Sequence, residues 1–215
     1  MTTTAWRVMA LAISMFLVFA GGCDKHAEDK QAIRAALEAN RQAIIARDAD
    51  GFIKSMSEGS LEWFDRVLRL ARTGSRSDVQ ALRPIDRALI IALRNRVPRK
   101  DLMKFDARSF ITWAMELGWW DAGAEDEETV GSIRVLATTA TVKMKLDGRR
   151  TDREVGLVKE GDAWKLDMGD GARQYDRRFR EAMDRYRLDE NRTILQLETF
   201  MSGREARDDL WDPPK

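Results

Sequence analysis

One cysteine and one histidine among 215 residues exclude a good deal of chemistry before any motif is sought. A single thiol closes no internal disulfide, and one Cys with one His is too small a set for a zinc cage. His26, three residues after Cys23, falls in a segment read as a tether, where nothing would hold it in productive geometry. Histidine-dependent general-base catalysis is therefore not expected. Net charge is lacking too. Lys and Arg number 37 against 36 Asp and Glu, so no long-range field steers nucleic acid, and no nucleic-acid partner is expected. No Gly-rich phosphate loop and no Ser–His or Cys–His arrangement is visible. On these grounds no catalytic residue, metal ligand or cofactor is assigned, and the chain is read as a non-enzyme.

Long hydrophobic runs are also missing, except for residues 8–19, twelve positions interrupted only by Ser14. As a helix that run rises only ~18 Å, short of a ~30 Å hydrocarbon core. Arg7 precedes it and Ala20-Gly21-Gly22-Cys23 follows, the order of a secretory leader. The small residues before Cys23 resemble the bacterial lipobox. That resemblance implies cleavage before Cys23, lipid on its sulfur, and a membrane as the first partner. Removal of the leader takes away Arg7 and leaves 36 charges of each sign. Asp24, directly after the lipidated position, resembles the enteric signal that retains a lipoprotein in the inner membrane. The expected location is thus the periplasmic face of that membrane.

What remains is rich in both apolar and charged residues, 44% and 34%, as in a folded, helix-rich domain. Ile33, Leu37 and Ile44, with Ala36 and Ala43, mark one helix face. Residues 47–51 (Arg-Asp-Ala-Asp-Gly) end it, and Phe52, Ile53 and Met56 begin a second helix. Ser60 is the expected N-cap of a third over 61–72, with Leu61, Phe64, Leu68 and Ala71 inward. Pro84 suits the first turn of a helix over 84–97, and 101–117 continues the helical pattern in two pieces up to Gly118.

The period then changes to two. Ile133, Val135 and Ala137 alternate, and Ala140, Val142, Met144 and Leu146 alternate against Thr141, Lys143 and Lys145. Asp147-Gly148 is a turn signal; Val155 and Leu157 open a third strand, and Trp164, Leu166 and Met168 face one way on a fourth. A long helix follows from about residue 172 toward 200, its stripe marked by Tyr175, Phe179, Met183, Tyr186, Ile194, Leu197 and Met201. The expected class is α+β: N-terminal helices, a four-strand antiparallel meander and a long C-terminal helix. The divisions are a signal peptide (1–22), a lipidated tether (23–29), one domain (30–203) and a C-terminal tail (204–215).

Residues 32–56, AIRAALEANRQAIIARDADGFIKSM, and 135–168, VLATTATVKMKLDGRRTDREVGLVKEGDAWKLDM, are similar to parts of the SnoaL-like and nuclear-transport-factor-two-like (cystatin-like) superfamily. The resemblance covers 59 of the 215 residues. It implies a cone-like sheet closed by helices, here with a helical insertion, and a pocket inside which some members isomerise or cyclise small molecules while many only bind. No catalytic residue carries over. The main expectation is a membrane-tethered module, without catalysis, that binds a protein or a small apolar ligand or serves as a scaffold. The alternative is a SnoaL-like pocket enzyme of the isomerase or cyclase type.

Two adjacent indoles, Trp119 and Trp120, leave a helix together after Gly118 and cannot face the same way, which makes them candidates for a pocket wall or a protein contact. The acidic run at Asp121 and 125–128 lacks the order of a calcium loop and reads as solvated. The arginines Arg149, Arg150, Arg153, Arg177, Arg178 and Arg180 would form an anion site only if their elements met; interspersed acids point instead to surface pairing.

Overall fold

The computed structural model describes residues 26–119 and 128–214. The leader, Cys23, Asp24, Trp120 and all of the acidic run except Glu128 lie outside them. Among the described residues no helix is long and apolar enough to cross a membrane.

Among the described residues seven helices precede the sheet. The first, α1 (Ala27–Ala46), ends where Arg47 turns left-handed at φ 53°. Asp48 then accepts from the Gly51 amide and starts α2 (Ala49–Ser55). The cap of α3 (Glu58–Thr73) is Ser57, not Ser60. Ser60 is buried in the first turn instead, where its hydroxyl donates to Leu166 O at 3.0 Å and accepts from the Met168 amide at 2.9 Å. Those bonds tie α3 to the end of the sheet. A short α4 (Arg76–Gln80), held by a Ser75–Asp78 capping box, was not expected from the apolar pattern. Pro84 opens α5 (Pro84–Arg96). The two pieces expected before Gly118 are α6 (Arg99–Leu102) and α7 (Ala107–Glu116), the second capped by Asp106.

The α+β class and the meander are as expected. β1 (Glu128–Leu136), β2 (Thr139–Leu146), β3 (Arg149–Glu160) and β4 (Ala163–Leu166) pair antiparallel in the order 1-2-3-4. Asp147 and Gly148, at φ 51° and 72°, form the tight turn between β2 and β3, the conformation that makes Asp-Gly a hairpin signal. Register shifts between Val130 and Ile133 and between Lys143 and Lys145 interrupt the ladder. Val142, Leu157 and Trp164 are buried on one face, packed with Ile33 of α1. Met168 is not on β4, because Asp167 caps the next helix at that point.

The stripe that reads as one C-terminal helix is carried by two, α8 (Met168–Tyr186) and α9 (Glu190–Ser202). Arg187 turns left-handed and Asp189 caps the restart by accepting from the Arg192 amide. The apolar period runs on through the break, so the pattern hides it.

Both ends of the domain are more ordered than their sequence suggests. Within the expected tether, Ala27–Asp29 already belong to α1, and Asp29 accepts from Lys159 Nζ at 2.9 Å and Trp164 Nε1 at 3.0 Å. The expected tail is part of the core. Trp211, in a 3-10 turn at Asp208–Trp211, is 1% exposed. Arg76 reaches Asp208 and Asp212, and the buried Arg94 donates to the carbonyls of Leu210, Trp211, Leu70, Ala71 and Gly74. A large indole with a socket outweighs the local polarity around it.

Two hydrophobic clusters result, one among the helices and one between α1 and the sheet. α1 belongs to both, with Ile33 on the sheet and Ala43 and Ile44 among the helices.

Candidate functional site

α8 crosses α3, α5 and β3 without filling the space beneath it. Its first turn closes tightly on the sheet. Asp167 N bonds Gly156 O at 2.9 Å, and any side chain at Gly156 would meet the Asp170 carboxylate at 2.6 Å. Farther along, the helix stands away and leaves two cavities.

The first, of about 510 Å³, is walled by Ile44, Phe52, Trp63, Val155, Leu166 and Ala172, with Arg153, Glu154 and Arg178 also lining it. The second, of about 380 Å³, is walled by Phe64, Leu89, Phe110, Trp119, Phe179 and Ile194. Trp63, Ile85, Met168 and Tyr175 line both. Both volumes fall in the range of small-molecule sites, ~300–1,000 Å³.

The polar atoms around the cavities are mostly engaged. Asn40, on the first wall, donates to Ser55 at 2.7 Å, and Ser55 donates to Phe52 O. Trp63 Nε1 donates to Asp86 at 2.7 Å, and the Arg83 guanidinium chelates the same carboxylate at 3.0 Å. Behind Tyr175, Asp176 accepts from the Ile85 amide at 2.8 Å and faces Arg83 at 3.6 Å. Burial pushes the Asp176 carboxyl above the usual carboxylate range, against the Ile85 amide and Arg83, which act to lower it. At the second cavity Glu198 is buried with both oxygens held, by Asn95 at 2.8 Å and by Arg96 at 2.9 and 3.1 Å. That is a fixed anion more than a free proton acceptor.

Trp119 is placed in the wall of the second cavity. Its ring meets Phe110 and Trp113 edge-on, at 5.7 and 5.4 Å between centroids, and the Arg96 guanidinium lies 5.4 Å over it. Its neighbour Trp120 lies outside the described residues. His26 is the N-cap residue of α1, with Nδ1 3.5 Å from Asp29. The two arginine clusters meet only in part. Arg153 pairs with Glu128 at 2.5 Å and Arg180 reaches Glu190 at 3.9 Å, as surface pairing predicts, while Arg178 joins Arg153 at the first cavity. Among the described residues, no three His, Cys, Asp or Glu side chains are grouped so as to hold a metal ion.

Sequence reasoning missed Trp63, which precedes the Phe64 assigned to the core, and it read Tyr175 only as part of a helix stripe. The available signal was rarity: Tyr175 is one of two tyrosines in the chain. Exposed Leu197, Phe200 and Met201 extend the apolar surface along α9 beside the second cavity. No protein-family model, curated protein or solved structure matches this chain, so the functional reading rests on its own sequence and on the cavities and their walls.

Proposed function

We propose that the domain is a non-catalytic binding module of the bacterial cell envelope, carried on lipid at Cys23, whose ligand is a small apolar molecule seated beneath α8. The observation that carries this reading is the first cavity, large enough for such a ligand and walled by Ile44, Phe52, Trp63 and Leu166. Sites of this kind bind through apolar walls and orient through a few polar groups at the edge. The resemblance to the SnoaL-like superfamily, many of whose members only bind, supports it further. The lipobox-like residues before Cys23 support the anchor, and Asp24 supports retention at the inner membrane.

A pocket enzyme of the isomerase or cyclase type needs a carboxylate able to take a proton at the cavity wall. Burial raises the pKa of Asp176, but its carboxylate is turned to Ile85 and Arg83 and it lines neither cavity. Glu198, in the wall of the second cavity, is saturated with donors. Of the carboxylates lining the first, Glu154 faces Lys143 at 3.7 Å, while Asp167 faces Arg173 at 3.7 Å and accepts from the Asp170 amide. Binding is the better reading.

The test is titration with a neutral apolar fluorophore such as N-phenylnaphthylamine. Saturable one-to-one binding with quenching of tryptophan emission is expected. Gly171 lines the cavity, and a Cβ added there meets no atom within 4 Å, so Gly171→Leu should weaken binding without unfolding the domain. No saturable binding to the wild type would end this reading. In cells, labelled palmitate should mark the wild type and not Cys23→Ser; equal labelling of both would end the anchor.

A further inference from the structure

The mouth of the first cavity is charged unevenly. Four ionised side chains line it: Arg153, Glu154, Asp167 and Arg178. Three have counterparts. Arg153 pairs with Glu128 at 2.5 Å, Glu154 lies 3.7 Å from Lys143, and Asp167 lies 3.7 Å from Arg173 while accepting from the Asp170 amide. Among the described residues nothing pairs with Arg178 or bonds the Tyr175 hydroxyl. Tyr175 and Arg178 stand three residues apart on α8, which places them on one face of the helix. Both line the cavity and both are exposed. An apolar chamber therefore opens past one unmatched cation and one unmatched hydroxyl donor.

That combination selects a chemistry. A guanidinium offers a fork of N–H donors and no acceptor, and a phenol adds one O–H donor. Together they suit a carboxylate or phosphate oxygen, and charge-assisted bonds of this kind are the strong ones. The chamber behind them, bounded by Ile44, Phe52, Trp63 and Leu166, offers a chain mainly apolar contact, with Asn40 on its wall already bonded to Ser55. We propose that the first cavity takes a single-chain amphiphile with an anionic head, the chain inside and the head against Arg178 and the Tyr175 hydroxyl. The proposal rests on the ligand-binding reading above and specifies its ligand class. A free fatty acid and an acid drawn from a bilayer share this chemistry.

The experiment is displacement of N-phenylnaphthylamine from the intact domain by monomeric dodecanoate, dodecanol and dodecyltrimethylammonium. Dodecanoate is expected to displace the probe about tenfold or more better than dodecanol, the scale of one charge-assisted bond. Lengthening the acid should tighten binding by about fourfold per methylene, corresponding to ~0.8 kcal/mol each, until the chamber is full. In Arg178→Gln the advantage of acid over alcohol should fall to about twofold, and Tyr175→Phe should reduce it by a smaller factor. Acid and alcohol displacing equally from the wild type would overturn the anionic head, as would preference for the cation. Probe binding that none of the three amphiphiles reverses would overturn the amphiphile and leave the apolar-ligand reading standing. Absence of probe binding would remove both. Acid supplied in phosphatidylcholine vesicles separates the sources: transfer to the protein supports a membrane-derived ligand, and displacement only by dissolved acid supports a free one.

Discussion

The two halves of the molecule are held together by different means. In the sheet half the buried side chains are Ile33, Val135, Ala140, Val142, Met144, Leu157, Trp164 and Leu166, and among the described residues no charged side chain of the strands is buried. In the helical half Asp86, Arg87, Arg94, Asp176 and Glu198 are all buried, and each is bonded to another element or to a distant turn. The sheet is built from contacts between neighbouring strands that any well-fitting apolar side chain can make. The helices are fastened at points, by donors that fit one arrangement of carbonyls and carboxylates. A buried polar group left without its partner costs ~1–3 kcal/mol. Mistakes in the helical half are therefore local and severe, and mistakes in the sheet half are graded by volume.

The largest effect should come from the guanidinium that joins the most segments. Arg94 is buried, with its pKa pushed down to about 10 by desolvation, so it stays protonated at neutral pH. Arg94→Leu withdraws a donor from five carbonyls and is expected to cost about 4–6 kcal/mol, a large part of an ordinary domain's 5–15. Arg94→Lys should recover little, because an ammonium cannot reproduce the fork. Urea denaturation measures both, and full rescue by Lys would erase the contrast between the halves.

Trp164 is the counterpart in the sheet. Trp164→Ala should cost about 3–5 kcal/mol, while Trp164→Phe should restore most of it, since packing decides there. A phenylalanine variant as unstable as the alanine one would mean that the indole bond to Asp29, not volume, holds the sheet to α1.

The smallest effects are pH-dependent and opposite in sign. Hydrogen bonds from Lys159 and then Trp164 hold the Asp29 carboxyl below its ordinary value of 3.8. Its contribution is present above that value and disappears as pH falls through the lowered pKa. Wild type and Asp29→Asn should therefore differ at neutral pH and converge in acid. Burial raises Asp176, so its contribution is full below the ordinary value and is lost as pH rises through the raised pKa. The gap between wild type and Asp176→Asn should accordingly change above that value. Stability curves for both variants from pH 2 to 7 check the signs, and parallel curves for the two would refute them.

The same contrast explains what could be read from the sequence. Every partner of Val142 or Leu157 in the ladder sits across a hairpin, so alternation and Asp147-Gly148 suffice to place the strands. On α5 the apolar pattern carries no sign that Asp86, Arg87 and Arg94 are buried. Their partners lie in α3, α9 and the segment around Trp211, and no local pattern encodes such distances. Ser57 takes the cap expected of Ser60, whose hydroxyl is turned to the buried Leu166 carbonyl instead. Of the site, Trp119 was legible because paired indoles are conspicuous. The first cavity was not, because its walls are ordinary core residues until α8 is seen standing clear of them.

The docking of Trp211 also sets an order of events in synthesis. A ribosome that has delivered the chain up to residue 203 has made α1–α9 and β1–β4, but not the indole that fills the socket or the two carbonyls that complete the shell of Arg94. Closure of the helical half has to wait for residue 211, and contacts this remote in sequence are slow to form in any case. Assembly of the helical half is thus ordered by the position of one tryptophan.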